Sequence, residues 1–172
     1  MPACSAVDSG CLPKTMEPSF EKLLVLLAES GIRFVVVDGI AVTLQGYVRL
    51  AEDVDILVDA SPDNIAALLA TLRAFGEGFA KELSPSDFDD SEGAIRIVEE
   101  TEQCQVDIFT RIGDSHYADV IAASSALTLR NQSIHYASKA DLIRWKESSI
   151  REKDRLDAHA LRQLQKDPRA FD

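Results

Sequence analysis

Apolar positions along this chain recur first with helical spacing and then in short β-branched runs. Residues 20–29, FEKLLVLLAE, place leucines three and four apart and stop at Ser30-Gly31, which predicts a helix and its end. Residues 33–37, RFVVV, are short and β-branched and predict a buried strand. A short helix over 39–45 should follow, closed by Gly46, and then a second strand over 54–58, VDILV. Ser61-Pro62 marks the start of a helix over 63–75, with Pro at its first position. Residues 76–91 are polar and predict a loop holding at most one short strand. Residues 94–99 and 104–110 predict a hairpin, 117–125 a short helix, and 127–130 with 133–136 a second hairpin turning at Asn131-Gln132. Ser138 has the features of an N-cap for final helices. The order of elements predicts an α/β (α+β) domain, a mixed β-sheet flanked by helices.

With 172 residues, 46% hydrophobic and 27% charged, the chain can bury a core as one domain. The expected divisions are a loose arm over 1–17, an α/β core over 18–137 and a helical segment over 138–172 packed on that core. The arm lacks a basic start followed by an apolar block, so no secretory leader is expected. The apolar runs fall well short of the roughly 20 residues of a membrane span. Cys4, Cys11 and Cys104 show no metal or disulfide spacing, and a reducing cytoplasm is the expected location. The net charge of −11 argues against nonspecific coating of nucleic acid. Half of the 18 Lys and Arg fall in residues 139–172, so the acid excess lies in the body of the chain.

The acids in the strands change the picture. Alternate strand residues face the same way, so Asp53 and Asp55 share a face about 7 Å apart while Val54, Ile56 and Val58 fill the other. Two carboxylates so placed repel unless a positive charge lies between them. Mg²⁺ suits such a pair, because it takes oxygen ligands and commonly joins one or two carboxylates to substrate phosphates. In QVDIF, Asp107 stands opposite Val106 and Ile108 and can complete a three-carboxylate set if its strand lies beside 54–58. The competing reading has Asp53 capping a strand and Asp55 and Asp107 exposed at a sheet edge.

The stretch VVVDGIAVTLQGYVRLAEDVDILVD, 35–59, resembles the nucleotidyltransferase fold shared with DNA polymerase β. It is most similar to the small bacterial, AbiEii-like and minimal nucleotidyltransferases, over roughly residues 20–160. Gly39, Arg49, Asp53 and Asp55 match the pattern, Ala51 stands where Thr is usual, and Asp107 matches the third metal carboxylate. The resemblance implies Mg²⁺ or Mn²⁺ at Asp53, Asp55 and Asp107, with an NTP as donor. Gly39 would let backbone approach the triphosphate, and Asp107 would help deprotonate the acceptor. Asp38 occupies the first position of the turn, where family members carry a small residue. The resemblance also implies an acceptor that is a tRNA end, a protein hydroxyl or a small molecule such as an aminoglycoside, and a toxin–antitoxin pairing with an antitoxin partner. Membrane association is not expected.

If 139–164 is one continuous helix, counting about 100° per residue places Lys146 at the centre of its apolar arc, with Lys153 and Asp157 close by. A charge in such an arc is paired or functional. Lys153 and Asp157 can neutralise each other one turn apart. Lys146 has no such partner on its own turn, which leaves a phosphate contact or a side chain that snorkels to solvent. The run K…REKD..D resembles the family's C-terminal pattern and implies functional roles for Lys146 and Asp154. The reading is a Mg²⁺-dependent nucleotidyltransferase, with a non-catalytic nucleotide- or protein-binding module on the same fold as its rival.

Overall fold

A computed structural model describes residues 18–75, 81–100 and 103–172; the arm over 1–17, with Cys4 and Cys11, lies outside the described residues. Helix α1 (Pro18–Glu29) buries Leu23, Leu24 and Leu27 completely, as its spacing predicts. Cutting any one of them to alanine would cost about 2–5 kcal/mol. Strand β1 (Phe34–Val37) runs directly into helix α2 (Asp38–Leu44). Strand β2 (Val54–Val58) and helix α3 (Pro62–Arg73) follow. After a 3₁₀ turn at Pro85–Asp87 come strands β3 (Ile95–Glu99) and β4 (Cys104–Phe109), helix α4 (Tyr117–Ala123), and strands β5 (Ser125–Leu129) and β6 (Gln132–Tyr136). Helices α5 (Lys139–Glu147) and α6 (Glu152–Lys166) complete the described chain.

The strands form one mixed sheet in the order β3-β4-β2-β1-β6-β5. β1 and β2 are central, and every residue of both is buried, which is why they are almost wholly apolar. β2 is antiparallel to β1 and parallel to β4. The end of β1 and the start of β2 therefore meet at one end of the sheet, where Val37 faces Asp55 and Asp55 faces Asp107. The registers place Asp55 and Asp107 in interior strands, so the exposed-edge alternative does not describe them.

Two details depart from the sequence expectations. The second hairpin turns one residue earlier, on Arg130 and Asn131, whose φ values of 46° and 67° match the two-residue turn that suits strand twist. The loop expected over 76–91 is present in its described part, 81–91, with one 3₁₀ turn, and 76–80 lie outside the described residues. Residues 139–164 are not one helix. α5 ends at Glu147, and Ser148 Oγ bonds back to the Trp145 carbonyl while Ser149 Oγ donates to Asp154. Serines that bond locally in this way compete with the helical ladder, so the phase count cannot be carried across the break. Leu142, Ile143, Leu161 and Leu164 nevertheless reach the common core from both helices. No described helix is long and apolar enough to cross a membrane.

Candidate active site

Asp53, Asp55 and Asp107 come together. Each offers a carboxylate oxygen within 4.8 Å of the others, and all three line a cavity of about 480 Å³. The parallel β2–β4 register places Asp107 beside Asp55, and Asp53 joins them from the residue before β2. Burial pushes the Asp55 carboxyl up to about 8, with the negative charges of Asp38, Asp107 and Asp53 adding to the effect. Asp53 is raised as well, by burial first and then by Asp107.

One cation serves this trio. Arg96 Nε and Nη2 donate to the two oxygens of Asp107 at 2.9 and 3.1 Å. Its own side chain is 61% exposed, so little packing holds it there. Among the described residues, neither Asp53 nor Asp55 has an ion pair. Three carboxylates meet one directly paired guanidinium, and the raised Asp55 carboxyl keeps a proton that lowers the excess negative charge. A hard divalent cation with oxygen ligands fits this donor set.

A second acidic group lies alongside, and its chemistry is the opposite. Asp38, Asp154 and Asp157 also bring carboxylate oxygens within 4.8 Å of one another. Lys146 Nζ sits among them, 2.6 Å from Asp38 Oδ1, 3.1 Å from Asp154 Oδ1 and 2.9 Å from Asp157 Oδ2. Arg49 Nη2 reaches Asp157 at 3.0 Å and Asp38 at 3.5 Å, while Arg151 Nε reaches Asp154 at 2.9 Å. Three carboxylates meet three cations, so no added ion is called for. Burial opposes the Lys146 charge, but Asp38 and Asp157 outweigh it and raise the ammonium above its ordinary value. Burial likewise opposes the Asp154 charge, yet bonds from Ser149, Lys146 and Arg151 hold that carboxyl at about 2.

The structure thus gives Lys146 an environment that the sequence reading lacked. It is 5% exposed and so does not snorkel, and its partners come from the β1–α2 turn and from α6, not from its own turn. Asp157 pairs with Lys146 and Arg49 rather than with Lys153. Lys153 is exposed and lines the large cavity with Asp53, where its charge offsets a small part of the rise in the Asp53 carboxyl. Asp38 adopts φ 55°, a left-handed conformation that glycine would take more easily. Over Gly39 lies the Arg49 guanidinium: a Cβ there would meet Arg49 Nη2 at 3.2 Å, so the missing side chain makes room for Arg49. Arg96, Arg151, Lys153 and Asp157 were not singled out from sequence as site residues. Lys153 and Asp157 left a trace, as charges sharing an apolar arc with Lys146.

No family model matches the sequence, and no curated protein does. Solved structures do share the architecture. The lincosamide antibiotic adenylyltransferase LnuA, lincomycin-bound, superposes with a TM-score of 0.61 at 17% identity, covering 87% of this chain and 98% of that one. An antigenic nucleotidyltransferase-like protein from Paracoccidioides brasiliensis gives a TM-score of 0.52 at 17% identity, covering 84% and 74%. At these identities the likeness establishes the fold. The chain has the nucleotidyltransferase fold.

Proposed function

We propose that this protein transfers a nucleoside monophosphate from an NTP to an acceptor hydroxyl, with Asp53, Asp55 and Asp107 holding Mg²⁺ or Mn²⁺. The observation that carries the proposal is the convergence of three carboxylates, of which only Asp107 has an ion pair among the described residues, on one cavity of about 480 Å³. The neighbouring fold members include an adenylyltransferase, which supports the same reaction class here.

In the reaction, the acceptor oxygen bonds to the α-phosphorus, the α–β bridging P–O bond breaks, and pyrophosphate leaves with that bridging oxygen. The hydroxyl proton passes to a carboxylate of the trio. When bound, the divalent cation supplies positive charge to the phosphate oxygens. Lys153, Arg151 and Arg96 line the same cavity and would bind the polyphosphate. Asp107 becomes available as ligand or base once the exposed Arg96 side chain moves off it, and that movement frees a guanidinium for phosphate. Lys146, Arg49 and Asp154 hold the floor of the site rigid through their ion pairs, and Gly39 gives Arg49 its place. Toxin–antitoxin membership, an antitoxin partner, the AbiEii-like kinship and a cytoplasmic location rest on the sequence reading alone.

One observation favours the rival, a nucleotide- or protein-binding module without turnover: Lys146 and Arg49 are neutralised by carboxylates, and Asp38 lies at the turn. Incubation with α-labelled NTPs and Mg²⁺, followed by release of pyrophosphate, separates the two. Turnover lost in Asp53→Asn and Asp55→Asn, with an unchanged far-UV spectrum, is the expected result. A wild-type protein that binds Mg²⁺ and a non-hydrolysable NTP without turnover on any hydroxyl acceptor would establish the module. Absence of nucleotide binding would remove nucleotidyl transfer and leave only the protein-binding form of the module.

A further inference from the structure

A second cavity of about 190 Å³ opens beside the carboxylate cavity, and its wall is of another kind. Val37, Phe109, Ile112, Leu142 and Trp145 supply apolar surface, and the two cavities meet at Asp38, Phe109, Arg151 and Asp154. At roughly 30 Å³ per water, the volume equals about six waters, room for one ring with a short chain. Phe109 lies two residues after Asp107 on β4, hence on the same face and about 7 Å away along the strand. A body resting on Phe109 can therefore carry a polar group to the carboxylate trio.

Asp38 stands at the junction with its side chain one-third exposed (33%). Its Oδ1 takes both Lys146 and Arg49, whereas Oδ2 accepts no hydrogen bond among the described residues. The Asp38, Lys146, Arg151 and Asp154 charges that also line this cavity are paired with one another. The acceptor oxygen left at the junction, Asp38 Oδ2, takes a donor group, an alcohol or an amine, and not another acceptor such as a phosphate or carboxylate oxygen. The net charge of −11 acts in the same sense against a polyanionic acceptor.

We infer that the acceptor is a small neutral or cationic alcohol with an apolar body. It is seated between Phe109 and Trp145, with its reacting hydroxyl toward the carboxylate trio and a second donor group, hydroxyl or amine, donating to Asp38 Oδ2. The inference rests on the nucleotidyl-transfer reading for the word acceptor, but the binding site can be tested without it. Asp38 then has a use: it excludes anionic acceptors from the turn and positions an alcohol there.

Trp145 is the chain's single tryptophan, so its emission reports on this cavity. The probe is phenylalaninol, a cationic amino alcohol with one ring, compared with the anionic 3-phenyllactate and a short CCA-ended oligoribonucleotide. Phenylalaninol should change Trp145 emission saturably, with or without Mg²⁺ and non-hydrolysable ATP or GTP. The other two should leave the emission unchanged. Ile112→Phe, which fills the cavity, should abolish the response, and Asp38→Asn should weaken it about tenfold through loss of a charge-assisted hydrogen bond. No saturable response, an equal response to phenyllactate or to the oligoribonucleotide, or displacement of phenylalaninol by the nucleotide analogue would overturn the inference. Calorimetry with Mg²⁺ and the same analogues keeps the two readings apart. Nucleotide binding without phenylalaninol binding removes the alcohol pocket alone, and the reverse result removes nucleotidyl transfer while supporting the pocket.

Discussion

Lys146 Nζ lies 2.6 Å from Asp38 Oδ1, an ion pair between residues 108 positions apart that ties α5 to the turn after β1. Asp154 and Asp157 bring α6 to the same ammonium. The strained Asp38 backbone, the two C-terminal helices and the floor of the cleft are thus held by one nitrogen.

Lys146→Met should leave three buried or half-buried carboxylates short of a cation and destabilise the fold by about 3–5 kcal/mol, the usual cost of breaking a buried pair from one side. Lys166→Met, at an exposed position, should change stability by no more than about 0.5 kcal/mol. Urea unfolding of the two variants checks the difference. Equal midpoints would mean that the cluster contributes nothing to stability.

Asp38→Gly should relieve the left-handed backbone and remove one negative charge from the cleft. Mg²⁺–NTP affinity should rise about tenfold, the scale expected for a charge pair roughly 6 Å apart at an effective dielectric near 20 after screening. The Asp55 carboxyl should fall from about 8, because Asp38 is the largest charge acting to raise it. Calorimetry with a non-hydrolysable NTP and carboxyl-carbon NMR titration measure the two effects. Weaker nucleotide binding would show instead that Asp38 is needed to hold Arg49 and Lys146 in place.

The metal-free protein should lose stability as pH rises from about 4 to about 8. Over that window the unfolded chain has released the Asp55 proton, ordinarily held only to 3.8, while the folded chain keeps it. With more protons bound in the native state, the slope of unfolding free energy against pH is negative. Mg²⁺ must displace that proton, so its affinity should increase with pH up to about 8 and then level off. Thermal melts with and without Mg²⁺ at pH 5.5, 7 and 8.5 test this, and Asp55→Asn should flatten the metal-free trend.

Arg96→Ala should tighten Mg²⁺ binding severalfold in the absence of nucleotide, because the guanidinium holds both oxygens of Asp107 and competes for a ligand of the proposed metal. With an NTP present the gain should shrink or reverse as a phosphate-binding cation is lost. Unchanged Mg²⁺ affinity would show that Asp107 does not serve as a ligand.

The sequence by itself determined the elements and the face on which each strand carboxylate lies. β2 was legible to the residue, because a fully buried strand is a continuous apolar run and Asp55 stands out within it. The common face of Asp53 and Asp55, and the place of Asp107 on its own strand, follow from a two-residue period that no packing can change. Tertiary structure decided everything that depends on partners far apart in the chain. Lys146 had no counter-charge within a helical turn, and only the approach of α6 and of the β1–α2 turn supplied three. The break after Glu147 arises from local serine bonds that make Asp154 part of the connection, and a helical phase count is blind to them. Helical and strand periodicity record how each residue faces its own element. Charge compensation, by contrast, is settled by whichever elements the core brings together, and for Asp38, Arg49, Lys146 and Asp157 those elements lie at opposite ends of the sequence.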